Sequence, residues 1–112
     1  MMGLDMYMRA INTTTGNEEE LAYWRKVNEL QGYMERHYNQ ENVERTFLDE
    51  KELSTILDDL NNNFDEEFVA TKGFFYGDFA MSDDERRYTI NAFQEALEYA
   101  KDGWKVYYTC WY

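Results

Sequence analysis

The stretch Leu21-Ala22-Tyr23-Trp24-Arg25-Lys26-Val27-Asn28-Glu29-Leu30, continuing through Tyr33, Met34 and Tyr38, constrains the fold more than any other. Leu21, Trp24, Val27, Leu30 or Gln31, Met34 and Tyr38 recur at steps of three and four. That period lines side chains along one helical face. The spacing predicts one long amphipathic helix. About 20 residues of helix span about 30 Å, the width of a small domain, so this helix is the expected spine against which a sheet packs. Asn17-Glu18-Glu19-Glu20 would start it, with Asn17 as N-cap, Glu20 at the reciprocal third position and the carboxylates at the positive end of the helix dipole.

The segments around the spine read as strands and two further helices. Leu4, Met6, Met8 and Ala10 alternate with Asp5, Tyr7 and Arg9, a period of two that makes Gly3 to Ala10 a strand with the first set inward. Ile11 to Gly16 is a Thr-rich loop, and Val43 to Leu48 is a short strand. Asp49-Glu50-Lys51-Glu52 is a capping box, with Leu48 and Leu53 placed as a hydrophobic staple. Leu53, Ile56, Leu57, Leu60 and Phe64 continue it as an apolar helical stripe that ends at Asn61-Asn62-Asn63.

Gly73-Phe74-Phe75-Tyr76-Gly77-Asp78-Phe79-Ala80 reads as a central strand buried on both faces. Ser82-Asp83-Asp84-Glu85 is another capping box. It opens a helix packed through Arg86, Ile90, Phe93, Leu97 and Ala100, with Gly103 as its C-cap glycine. In the closing strand, Trp104 to Tyr112, Val106, Tyr108 and Cys110 point inward. The expected fold is α+β, one domain over residues 1–112, in the order β-α-β-α-β-α-β. Three helices cover one face of an approximately four-stranded mixed sheet. Strand aromatics such as Tyr107 and Trp111 fall on the less covered face, which is then a contact surface or a homodimer seam.

Charge narrows the function. Twenty-three acids against eleven bases give a net charge of −12, which argues against direct nucleic-acid binding and against anionic membranes. It is compatible with plain solubility, or with a basic protein partner. No run of about 18 apolar residues is present to span a membrane. The opening residues carry neither a secretion pattern nor the Ser or Thr that a myristoylation signal requires. The lone cysteine, Cys110, excludes an internal disulfide and fits a reducing cytosol.

Gly3-Leu4-Asp5-Met6-Tyr7, Tyr23-Trp24-Arg25-Lys26, Gly73-Phe74-Phe75-Tyr76-Gly77 and the closing Tyr107-Tyr108 with Trp111 stand in an order that resembles a family of small phage- and prophage-encoded proteins of unknown function. The resemblance touches both ends and the middle of the chain. It implies a phage origin and a bacterial host's cytoplasm, and no activity. Members of that family carry an Ile-His pair and then Trp-Phe where this chain has Leu30-Gln31 and Tyr33-Met34, so any role of that imidazole is not expected here.

No catalytic set emerges. His37 alone cannot build a usual zinc site and reads as a helix-end cation. Cys110 reads as a small buried hydrophobe. Asp59 to Asp65 mimics a calcium loop, but Phe64 stands at the turn glycine and Ala70 at the bidentate Glu. Asp5 and Asp78 are the acids set in apolar context. No glycine-rich loop cradles phosphate. The expectation is therefore no enzyme, no cofactor and no metal. Trp24 is assigned to the core, and Arg25 is either a helix-surface ion-pair residue beside Glu29 or part of an interface. Tyr23, Arg25, Tyr107 and Trp111 are the candidate partner-binding residues, of types that dominate interfaces. The function expected is a phage accessory protein that binds a host or phage protein, in the sharper form inhibiting a basic, nucleic-acid-binding defence factor. The alternatives are an enzyme or ligand module with an aromatic-lined pocket between spine and sheet, and a structural homodimer.

Overall fold

The computed structural model describes residues 3–68 and 81–112. Its elements run β1 (Asp5–Ile11), β2 (Glu18–Arg25), α1 (Asn28–Tyr38), β3 (Thr46–Leu48), α2 (Glu50–Asn62), α3 (Phe64–Glu67), α4 (Asp83–Lys101) and β4 (Lys105–Trp111). The fold is α+β, a four-stranded sheet packed against helices. The strand order is β2-β1-β4-β3. Every pairing among the described residues is antiparallel, where a mixed sheet was expected. The predicted central strand from Gly73 to Ala80 lies outside the described residues.

The largest departure is the spine. Residues 18–25 form strand β2, and only Asn28 onward is helical. Asn12 explains the reversal. Its Oδ1 accepts from the backbone N–H groups of Thr14 and Thr15 at 3.0 and 3.2 Å, an Asx-type turn. Gly16 then adopts a left-handed φ of 81°. The Thr-rich loop is thus a hairpin turn that returns the chain alongside β1. Leu21 falls at a register shift opposite Met8 and Arg9, while Ala22 and Trp24 alternate inward. The three-residue step from Leu21 to Trp24 therefore comes from a bulged strand rather than a helical face. Lys26, at φ 57°, separates strand from helix. Asn17 and Glu20 consequently cap nothing, and Arg25 is not on a helix four residues before Glu29.

The remaining elements match their sequence signals more closely. Leu4, Met6, Met8 and Ala10 are fully buried, and Val106, Tyr108 and Cys110 nearly so. Both later capping boxes are complete, Asp49 with Glu52 and Ser82 with Glu85. Leu48 and Leu53 are both buried. On α4 the fully sheltered residues are Thr89, Ala92, Phe93 and Ala96. Arg86, Ile90, Leu97 and Ala100 are only half-buried, so the packed stripe is rotated from the one read in the sequence and shares Phe93 with it. Trp24 joins the two layers. Its indole N–H donates to Thr89 Oγ1 at 2.9 Å, and its rings lie 6.0–6.3 Å from those of Tyr88, Phe93 and Tyr108.

The break at Lys26 is testable by the sign of one substitution. A lysine in the left-handed region is strained, so Lys26→Gly is expected to stabilise the fold by roughly 0.5–1 kcal/mol. In an unbroken helix the same change would destabilise by about 1 kcal/mol. Urea unfolding of the two proteins distinguishes these outcomes.

Candidate interaction surfaces

Strand alternation fixes what each sheet face carries. The inner face holds the core. On the outer face the register stacks four rows across the strands. The first is Arg25, Asp5 and Trp111. Next come Tyr23, Tyr7 and Thr109, followed by Glu20, Arg9, Tyr107 and Phe47, and lastly Glu18, Ile11 and Lys105. Arg45, just before β3, lies over the Tyr107 ring with its Cζ 4.9 Å from the centroid. All four residues expected to bind a partner therefore lie on one face, although three different stretches of the chain supply them.

Three of the four are accessible. Tyr23 is 41% exposed and Trp111 55%, and Phe47, which sequence reasoning missed, is 50% exposed. Arg25 is exposed as well. Tyr107 is fully buried although it sits on the open face. Arg45 covers its ring, Phe47 packs at 5.4 Å, and its hydroxyl donates to Glu18 Oε2 at 3.0 Å. It is a supporting residue under this surface and not a point of contact. The alternation of β4 placed Tyr107 on the outer face, but gave no sign that a preceding loop would bring Arg45 over it.

The face is held in place by short polar contacts. Tyr23 Oη donates to Asp5 Oδ1 at 2.7 Å, which raises the Tyr23 phenol above its ordinary value, chiefly through that hydrogen bond. Asp5, the acid singled out for its apolar context, is thus the acceptor of a surface tyrosine. Tyr7 and Tyr23 rings lie 5.2 Å apart. Arg9 reaches Glu20 at 3.4 Å and Glu18 at 3.8 Å. By contrast, Arg25, Arg45 and Lys105 make no ion pair among the described residues, in a chain with 23 acids. A depression of about 310 Å³ opens between Tyr7, Arg9, Arg45, Tyr107, Thr109 and Trp111. Another, of about 510 Å³, lies between the Tyr23–Val27 stretch and Tyr88. The sheet edges are guarded: Tyr88 Oη accepts the β2 edge N–H of Tyr23 at 3.1 Å, and β3 has three residues, both devices that discourage strand addition.

The opposite side of the molecule is acidic. Residues 49–67 and 82–102, which contain α2, α3 and α4, carry fourteen acids and four bases. Asp58, Asp65, Glu66, Glu95 and Glu98 are exposed there. No group of three or more His, Cys, Asp and Glu placed to hold a metal occurs among the described residues. Asp59, in the calcium-like stretch, instead accepts from Tyr33 Oη at 2.6 Å. His37 Nε2 meets Glu67 Oε1 at 2.7 Å, and Arg36 donates to the Glu67 carbonyl.

The space between α1 and the sheet, the alternative ligand site, is filled. There Tyr108 Oη donates to Gln31 Oε1 at 2.5 Å, and Gln31 Nε2 lies 3.5 Å from Cys110 Sγ. Burial first of all pushes the Cys110 thiol up, the reverse of what a nucleophilic cysteine needs. Among the described residues no helix is long and apolar enough to cross a membrane. No family model, curated protein or solved structure matches the chain.

Glu29 is the one carboxylate in the molecular interior on α1, 7% exposed. It accepts the backbone N–H of Met81. Burial outweighs that bond, so its pKa is raised. A raised carboxylate contributes stability below its unfolded value and loses it as pH rises through the folded value. Glu29→Gln is therefore expected to raise the melting temperature relative to the parent at pH 7. The difference should vanish near pH 4, where the carboxyl is largely protonated in both states. Paired thermal melts at the two pH values check this.

Proposed function

We propose that this protein acts by binding another protein and performs no chemistry of its own. Its acidic helical layer meets a basic surface on the partner, of the kind that elsewhere holds nucleic acid. One observation carries this reading: the acids are segregated. The helical layer has fourteen acids to four bases, with Asp58, Asp65, Glu66, Glu95 and Glu98 among the exposed ones, whereas the strands hold most of their charges in near balance. Plain solubility needs charge but not its collection on one side. A one-sided negative field speeds encounter with a positive partner and orients the approach.

The resemblance to phage proteins supplies a setting. Within a bacterial host's cytoplasm, a small acidic protein of this kind would occupy the nucleic-acid surface of a host defence factor and so inhibit it. The test is a pull-down from bacterial lysate at about 50 mM and about 300 mM salt, a range over which surface charge attraction is progressively screened. Basic nucleic-acid-binding proteins are expected on the bait at low salt and lost at high salt. A variant with Asp58, Asp65, Glu66, Glu95 and Glu98 changed to their amides is expected to associate about tenfold more slowly with whatever is captured. Capture of no basic protein at low salt, or capture unaffected by the amide changes, overturns the reading.

A further inference from the structure

The open sheet face carries a charge pattern that is complementary to itself. At one end of the strands lie Arg25 and Trp111, and at the other lie Glu18 and Lys105. Tyr7 and Arg9 sit in the two middle rows, with Phe47 beyond Tyr107. We propose that this face is the seam of a symmetric homodimer, two sheets stacked face to face about a two-fold axis that crosses the strands between the Tyr7 and Arg9 rows.

That operation lays each row on its mirror row, as a symmetric interface requires. Arg25 comes over Glu18 of the second copy, Lys105 over Trp111, Arg9 over Tyr7 and Asp5 over Ile11. Arg25 and Lys105, cations of this face that make no ion pair among the described residues, then face a carboxylate and an aromatic ring respectively, the latter a cation–π partner. Tyr23 faces Glu20. The other way of turning the face over, about an axis along the strands, sets Glu20 above Phe47. It gives Arg25 and Glu18 no opposite partner. Register thus selects one dimer geometry. In it both acidic helical layers face outward, where their mutual repulsion is weakest.

The face is small. Three strands of seven or eight residues and a fourth of three, about 4.8 Å apart, give a footprint of roughly 400 Å² on each copy, against about 800 Å² per partner in a standard interface. The dimer is accordingly weak, half-formed on the order of 100 µM, where small transient interfaces operate.

Sedimentation velocity from about 10 µM to about 1 mM of the full chain reads this directly. A concentration-dependent dimer is expected, and a monomer throughout overturns the proposal. Arg25→Glu and Trp111→Ser, both at exposed positions, are each expected to weaken the dimer about tenfold, the effect of losing one contact of this kind on each copy. A dimer insensitive to both would be seated elsewhere and also overturns it. Glu18→Arg combined with Arg25→Glu exchanges the two ends and is expected to recover association lost in either single variant. Glu18 also supports Tyr107 and Arg9, so circular dichroism confirms that each variant is folded. A folded double variant that stays monomeric overturns the assigned axis. Binding of a basic protein to the helical layer uses none of these residues, so its presence or absence is scored separately.

Discussion

A tryptophan can be buried at little penalty only if its indole N–H finds an acceptor. Here Thr89 is that acceptor, 2.9 Å away and itself fully buried. The bond joins the C-terminal end of β2 to α4. It brings Trp24 among Tyr88, Phe93 and Tyr108, so that one ring system touches a hairpin strand, the longest helix and the last strand. Thr89 in turn donates to the Glu85 carbonyl, and Glu85 closes the capping box with Ser82. The start of α4, the hairpin and the sheet interior are thereby one connected unit. Since Trp24 points inward, Tyr23 and Arg25 on either side of it must point outward. The same contact that fixes the core also sets the composition of the open face.

How much of this was legible depended on whether the signal was local. Capping boxes are local, a side chain answering a backbone group three residues away, and both Asp49–Glu52 and Ser82–Glu85 were readable. Strict alternation is also local, and β1 and β4 followed it. The 18–38 stretch failed because its deciding features are not local. Leu21, Trp24 and Val27 fit a helical period, but β1 requires a partner on the side away from β4, and Asn12 with Gly16 turns the chain back to provide one. A register shift near Leu21 then disguised the strand period. The contact surface was legible as residue types on strands. That Tyr107 lies beneath Arg45 depends on a loop and on Val43 in the left-handed region, with φ 58°, which no spacing rule contains.

Aromatic content shaped the polar interior as well. A core built partly from tyrosines must find acceptors for their hydroxyls. Tyr108 takes Gln31, Tyr33 takes Asp59 and Tyr107 takes Glu18. Each acceptor is a side chain from a distant element, so these bonds select how α1, α2 and β2 sit relative to one another as much as they stabilise them. Tyr33 shows the consequence. Burial and the Asp59 bond both raise its pKa, so the phenol stays a donor throughout the physiological range and the link between α1 and α2 does not titrate there. Its ring also stacks on Phe68 at 4.4 Å, which holds the chain just beyond α3 against α1.

Charge segregation follows from the same architecture. The outer sheet face is one aromatic-rich layer of alternating residues, and a dense set of acids among those rings would leave Tyr7, Tyr23 and Tyr107 beside repelling anions with few donors. The four acids that do occur on strands are mostly matched: Asp5 by Tyr23, and Glu18 and Glu20 by Arg9. Helices tolerate acids far better, since three capping or first-turn carboxylates fit each N-terminus and the solvent-facing side has no other demand on it. An excess of acids in the chain therefore accumulates where the helices are, on the side away from the open face. A molecule with anions on one side and rings with arginines on the other has two chemically distinct surfaces. A ligand that suits one is disfavoured at the other, so the proposed self-association and the proposed partner binding would not compete for the same surface.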